Sequence, residues 1–287
     1  MAGYEWITFT SDYGLEDPFV GVCHGVMARV APWVRVIDVS HAVGAQDVRH
    51  GAWVLAQAVP YLPRAVHLAV VDPGVGTGRG MVAVAAGGQV LVGPDNGLLV
   101  WAAEALGGVE RVYALQNPAY RLEPVSRTFH GRDVFAPAAA HLAAGVDPGE
   151  LGPKVDPGRL VRLERAVARV DGGRVRASVV AVDHFGNLAL DLRRGDLERV
   201  GVDVGDPVEL RVGGRAHRLV FAETFASVPA GELVLHEDSF GSLALAVNLG
   251  RAAERLGARP GDPVEVVRPE GSGEPQGGAP VDREGVA

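Results

Sequence analysis

At 287 residues the chain is too long for a minimal domain and has the length of one large or two ordinary domains. Lys and Arg number 27 against 35 Asp and Glu, a net charge of −8, and no basic block offsets it, which argues against non-specific nucleic-acid binding. Apolar residues make up 47%, enough for a sizeable core. The single cysteine, Cys23, excludes an intramolecular disulfide and fits a reducing compartment. The opening MAGYEWITFTSD has no basic region followed by an apolar one, and no apolar stretch approaches the roughly 18 residues of a membrane span. A soluble, cytoplasmic protein that binds neither membrane nor nucleic acid is expected.

In chain order, Trp6–Thr10, Val34–Asp38 and Val66–Val71 read as strands, and Phe19–Val30, Val48–Ala58 and Leu98–Leu106 have helical spacing of apolar residues. The alternation predicts an α/β domain with a central, largely parallel sheet over residues 1–144. Each of those strands leads into polar residues: Ser11-Asp12, Ser40-His41 and Asp72. Ligands bind outside the carboxyl ends of strands in such sheets, although Asp and Ser also serve as ordinary turn and cap residues. Residues 145–160, dense in Gly, Pro and Asp, read as a linker. Beyond it, Leu163–Val170, Arg174–Val182, Val208–Val212, Arg218–Phe221 and Glu232–Leu235 are short, mostly Val-rich runs between Gly or Pro turns. They predict a smaller all-β, barrel-like domain over 161–267, followed by a disordered tail at 268–287.

The glycines of Gly74–Gly80 follow a strand but fall at every second position and lead into the apolar MVAVAA. Neither a dinucleotide fingerprint nor a P-loop fits. A flexible turn explains the glycines but not Asp72 and Arg79 at its two ends, where a carboxylate and a guanidinium can converge. His130 precedes Gly131 and an Ala-rich helical run, a place where histidines are commonly structural. Asp12, Asp17, Asp38, His41, Asp72, His130 and His184 are numerous enough to raise metal binding. No H-x-x-x-H, H-E-x-x-H or EF-hand spacing joins them, so no metal is expected. Nor is there a G-x-S-x-G elbow for a serine hydrolase.

Taken in order, TSDYGLEDPFVG (10–21), VDPGVGTGR (71–79), GPDNGLL (93–99), TFHGRDVFAPAAAHLA (128–143), DHFGN (183–187) and DSFGSLALAVN (238–248) resemble one family over about residues 5–265. It is the S-adenosyl-L-methionine (SAM) hydrolases, or SAM hydroxide adenosyltransferases, relatives of the fluorinase and chlorinase. The resemblance implies an α/β domain with a C-terminal β-barrel, a homotrimer with sites at subunit interfaces, and attack of water or hydroxide on ribose C5′ to give adenosine and L-methionine. No cofactor is implied; SAM is the substrate. The implied triad is Asp72, Arg79 and His130. Asp12 is implied to bind the ribose hydroxyls, Asp17, Asp183 and Ser239 the methionine end, and Phe185, Asn187 and Asn248 the purine or ribose.

Departures from the fluorinase pattern point to the hydrolase. The fluorinase has an aromatic residue at Gln46, tyrosines at Asp72 and His130, a non-basic residue at Arg79, and a halide-binding serine at Gly131. It also has a long insertion where this chain passes from Ala86 to Val90, and an arginine at Phe240. The chlorinase shares the glycine. A sulfonium leaves as a neutral thioether without an acid, so the site must supply an in-line nucleophile stripped of excess water. A carboxylate paired with a guanidinium is a weak base, so Asp72 is assigned to orienting and polarising water, Arg79 to positioning, and His130 to proton relay. A chlorinase and a non-catalytic SAM or adenosine sensor are the alternatives. A methyltransferase would need a glycine-rich loop after its first strand.

Overall fold

The computed structural model describes residues 3–269. The chain divides after Glu164 into two compact units. In the first, β1 (Trp6–Ser11), α1 (Phe19–Val30), β2 (Arg35–Ser40), α2 (Val48–Ala58) and β3 (Ala65–Val70) alternate as predicted. The hairpin β4 (Met81–Ala86) and β5 (Gln89–Pro94), α3 (Val100–Ala105), β6 (Arg111–Ala114), α4 (Ala136–Ala143) and the short β7 (Lys154–Val155) follow. The seven strands lie in the order β2-β1-β3-β5-β4-β6-β7. Strands β2, β1, β3 and β5 pair parallel, and only β4 and β7 run against the rest, so the sheet is largely parallel. β4 is reversed because the Gly87-Gly88 turn folds it directly onto β5.

Both faces of this sheet are covered, so β3 is buried at every residue. Ile7, Phe9, Val66, Leu68 and Val92 pack with Met27 of α1 and Leu142 of α4. On the opposite face, Ala69, Val84 and Leu91 meet Leu55 of α2 and Trp101 of α3. Helix α2 begins where Asp47 accepts a hydrogen bond from the His50 N–H (2.9 Å), an N-cap that fixes its first turn.

The expected linker at 145–160 is instead part of the first unit. β7 pairs with β6, and Leu151 and Leu160 are buried in its two cores. The Pro/Gly density encodes two side-chain-capped turns: Asp147 accepts from Gly149 N–H (2.8 Å) and Asp156 from Gly158 N–H (2.9 Å). The expected strand from Leu163 is shorter for the same reason, since Leu163 packs on the first core and pairing starts only at Arg169.

The second unit comprises β8 (Arg169–Asp171), β9 (Arg174–Val182), β10 (Leu188–Leu190), α5 (Arg194–Glu198), β11 (Pro207–Val212), β12 (Arg215–Ala222), β13 (Leu233–Glu237), β14 (Leu243–Val247), α6 (Ala252–Leu256) and β15 (Pro263–Val267). The order β10-β14-β13-β12-β11-β15-β9 closes through β9–β10 pairing into a seven-stranded barrel, with β8 attached to β9. Closure removes the free strand edges, and Val175, Leu188, Leu210, Leu235 and Val266 fill the interior. Of the expected tail, all but Arg268 and Pro269 lies outside the described residues.

His67 of β3 is buried between the Thr8 hydroxyl (2.8 Å) and the Gln89 amide oxygen (3.0 Å). Burial lowers its pKa from 6.5 to about 4, although the Gln89 hydrogen bond opposes the shift. The unfolded chain therefore binds a proton between pH 6.5 and about 4 that the folded chain refuses. Stability present above this window is lost as pH falls through it, on the order of 3 kcal/mol. Relative to His67→Gln, the wild type should lose that much more stability between pH 7 and 4. Urea unfolding followed by tryptophan fluorescence checks this, because Trp6, Trp33, Trp53 and Trp101 all belong to the first unit. Equal losses in both proteins would show that His67 does not govern the acid slope.

Candidate active site

β2, β1 and β3 are neighbours and parallel, so the residues after them, His41, Asp12 and Asp72, emerge at one edge of the sheet. Asp72 leaves β3 through Val71, whose carbonyl accepts a hydrogen bond from Asn96 Nδ2 (2.8 Å). The glycine-rich turn then brings Arg79 back onto it. Gly76 has φ +77°, and a Cβ there would overlap the Arg127 carbonyl oxygen. This close approach sets the turn against the segment leading to His130, so Gly76 is needed for packing as well as for the flexible turn expected from sequence.

The Arg79 guanidinium grips Asp72 at two points. Nε donates to Oδ1 (2.8 Å) and Nη2 donates to Oδ2. Nη2 also lies 2.9 Å from His130 Nδ1, and the guanidinium sits over the Phe135 ring, 5.2 Å from its centroid. The Asp72 and Arg79 side chains are only 7% and 10% exposed, so the pair is desolvated as well as bidentate. Guanidinium has no acceptor, so Nδ1 must accept, and the proton of neutral His130 sits on Nε2. Burial and the Arg79 charge hold the His130 pKa below its ordinary value, against the weaker pull of Asp72 and Asp133.

His130 starts a π-helical turn, Gly131–Phe135, that runs into α4, an irregularity often found at functional sites. Buried Asp133 pins the preceding loop by accepting from Ser126 N–H (2.8 Å), and it is gripped by Arg132 (2.6 Å to Nε). A Cβ on Gly131 would overlap the Tyr13 hydroxyl, so a side chain there would have to displace that phenol. Burial raises the Tyr13 pKa, keeping the phenol neutral. Its ring packs against Phe9, Phe19 and Phe129. Tyr13, Phe129 and Phe135 all lie inside the sequence motifs but drew no attention there, because apolar contacts carry no motif spacing.

The other predicted residues are placed separately. Asp12 is partly buried and accepts from Gln46 N–H (2.8 Å), while Asp17 is exposed in the loop before α1. In the second unit, both Asp183 oxygens are taken by Asn187, from its N–H (2.8 Å) and Nδ2 (2.7 Å), which closes the turn carrying Phe185. Phe185 is 70% exposed. Ser239 is exposed in the turn where Asp238 accepts from Phe240 N–H (2.8 Å), and Asn248 Nδ2 donates to the Val228 carbonyl (2.7 Å). The structure thus brings Asp72, Arg79 and His130 into direct contact, and pairs Asp183 with Asn187.

Comparison with known proteins gives this geometry a family. The family model for the SAM hydroxide adenosyltransferase N-terminal domain matches residues 7–152, and that for the C-terminal domain matches 177–265. The chain is 54% identical over 267 residues to the (R)-S-adenosyl-L-methionine hydrolase of Salinispora arenicola, covering 93% of this chain and 99% of that protein. To the (R)-S-adenosyl-L-methionine hydrolase of Thermus thermophilus it is 45% identical over 271 residues, covering 91% and 99%. An uncharacterized conserved protein from Thermotoga maritima, solved by crystallography, superposes with a TM-score of 0.86 at 37% identity, covering 91% of this chain and all of the other. With both domain models matched in order along its length, the chain belongs to the SAM hydroxide adenosyltransferase family of enzymes.

Proposed function

We propose that this chain hydrolyses S-adenosyl-L-methionine to adenosine and L-methionine without a cofactor, taking the (R) sulfonium epimer that the names of its Salinispora and Thermus relatives specify. The reading rests on one observation: the desolvated Asp72–Arg79 pair is joined through Arg79 to the partly buried His130. His130, proton on Nε2, donates to the oxygen of one water and aims its lone pair at C5′. The C5′–S bond breaks with its electron pair on sulfur, the C5′–O bond forms, and the new oxygen becomes acidic as it bonds. A weak base then suffices, and Asp72 takes the proton through lone pairs that Arg79 leaves free before passing it to solvent. His130 is therefore assigned to donation rather than to the proton relay expected from sequence.

The remaining assignments follow the resemblance: Asp12 to the ribose hydroxyls, Asp17, Asp183 and Ser239 to the methionine end, and Phe185, Asn187 and Asn248 to the purine or ribose. A homotrimer completes the site, a reading supported by Phe185 and Phe240, aromatic side chains left 70% and 46% exposed. A cytoplasmic location agrees with the unpaired, buried Cys23. The hydrolase is favoured over halide chemistry by His130 in contact with the Arg79–Asp72 pair, since the glycine at 131 is shared with the chlorinase.

Asp72→Ala, Arg79→Ala and His130→Ala should each lower the chemical rate by roughly tenfold to ten-thousandfold with folding retained. Wild-type turnover in folded Asp72→Ala would remove that carboxylate from the mechanism. Turnover should also fall at acid pH with an apparent pKa below the ordinary 6.5 of histidine, because an imidazolium Nδ1–H faces the Arg79 donor. His130→Gln, which keeps a donor but cannot titrate, should lose that acid limb; a limb that persists assigns it to another group.

Incubation with SAM in ¹⁸O-labelled chloride buffer tests the reaction itself. Adenosine labelled at the 5′-hydroxyl and unlabelled methionine are expected. 5′-Chloro-5′-deoxyadenosine would identify a chlorinase, and no turnover a sensor. Unlabelled adenosine in the first turnover of fresh enzyme would mean a covalent Asp72 ester instead of direct attack.

A further inference from the structure

A second group of chemically competent side chains lies beside the site without belonging to the triad. His24 Nε2, from α1, and His41 Nε2, just past β2, each lie 2.9 Å from the same oxygen, Asp38 Oδ1. The three candidate ligand atoms all fall within 4.8 Å of one another. The His41 side chain is 4% exposed, and its Nδ1 is held by the Ser11 hydroxyl at 2.7 Å. Its ring packs edge-to-face with Phe9, with centroids 4.7 Å apart. His24 and Asp38 are 34% and 44% exposed, which leaves one side of the cluster open to solvent.

We propose that His24, Asp38 and His41 form a binding site for a divalent first-row transition-metal ion, with zinc as the reference case. Two imidazoles and one carboxylate are the donor set of open zinc and related sites, and two nitrogen ligands favour these ions over magnesium or calcium. Ligand atoms about 2.0–2.1 Å from a tetrahedral zinc sit roughly 3.3 Å apart, so the 2.9 Å contacts need open only slightly to admit the ion. Displacing the Nε2 protons shifts each ring proton to Nδ1. For His41 that N–H then donates to Ser11 Oγ, the outer-shell support that metal-bound histidines ordinarily have. The open side leaves a position for water.

The ion would tie α1 to the end of β2 and brace the loop after β1. The His41 carbonyl accepts from Gly14 N–H (2.8 Å), and Ser11 Oγ accepts from Tyr13 N–H (3.3 Å), so the segment carrying Asp12 hangs from the same residues. The proposal stands apart from the catalytic reading, because its evidence is metal binding and not turnover.

The test uses the full chain, tag removed and stripped with chelator, titrated with cobalt(II) and separately with zinc. One equivalent of cobalt should give visible absorption bands of a low-coordinate nitrogen–oxygen site, zinc should displace them, and free zinc at a hundredfold excess over Kd should raise the melting temperature by roughly 5–11 °C. His24→Ala and Asp38→Ala should each weaken binding at least tenfold. If Asp38→Ala does not fold, the partly exposed His24→Ala carries the comparison. Absence of a stoichiometric cobalt site in the wild type, or equal affinity in His24→Ala, would overturn the proposal and leave the trio a hydrogen-bond network.

Discussion

The contact on which the rest of this molecule depends is the fork of Arg79, which holds Asp72 with two nitrogens and reaches His130 with one of the same pair. A guanidinium only donates, so this single choice of residue dictates the protonation pattern of its neighbours. Asp72 stays an acceptor, and His130 presents its proton outward. A lysine could neutralise Asp72 but could not fix both partners in one plane. Because the pair is withdrawn from water, loss of Arg79 would leave a buried carboxylate uncompensated, so geometry and electrostatics fail together.

The fold is arranged to make that contact possible. Parallel pairing puts the ends of β1, β2 and β3 side by side. The turn through Gly76 lies against the Arg127 carbonyl, and a π-helical turn aims His130 back at it. Arg79 is seven residues from Asp72 but 51 from His130. The site is therefore a product of tertiary packing, and core substitutions under β3 or α4 should register in it as readily as direct ones.

Much of this was legible in the residues. Helices α1 and α2 have the bounds that apolar spacing predicted, because amphipathic periodicity is a local signal. The barrel was legible as texture, but its closure by β9 and β10 was not, since strand partners are chosen by the whole unit. Residues 145–160 misled because Asp-Pro-Gly marks a turn equally well inside a domain or between two. Asp72, Arg79 and His130 were visible through ordered motifs, whereas His24 was not: it sits on a helix 14 residues from Asp38 and matches no metal-binding spacing.

Gly131 illustrates how such a site constrains its own substitutions. The space its side chain would need is filled by the hydroxyl of Tyr13, and that ring is wedged among Phe9, Phe19 and Phe129. A mutation introducing a hydroxyl side chain at position 131 meets an occupied volume, and a mutation shrinking Tyr13 alone opens a void in an aromatic cluster. Each step is a loss by itself, and only the pair restores packing. Positions 13 and 131 are therefore coupled, and a double substitution should cost less than the sum of the two single ones.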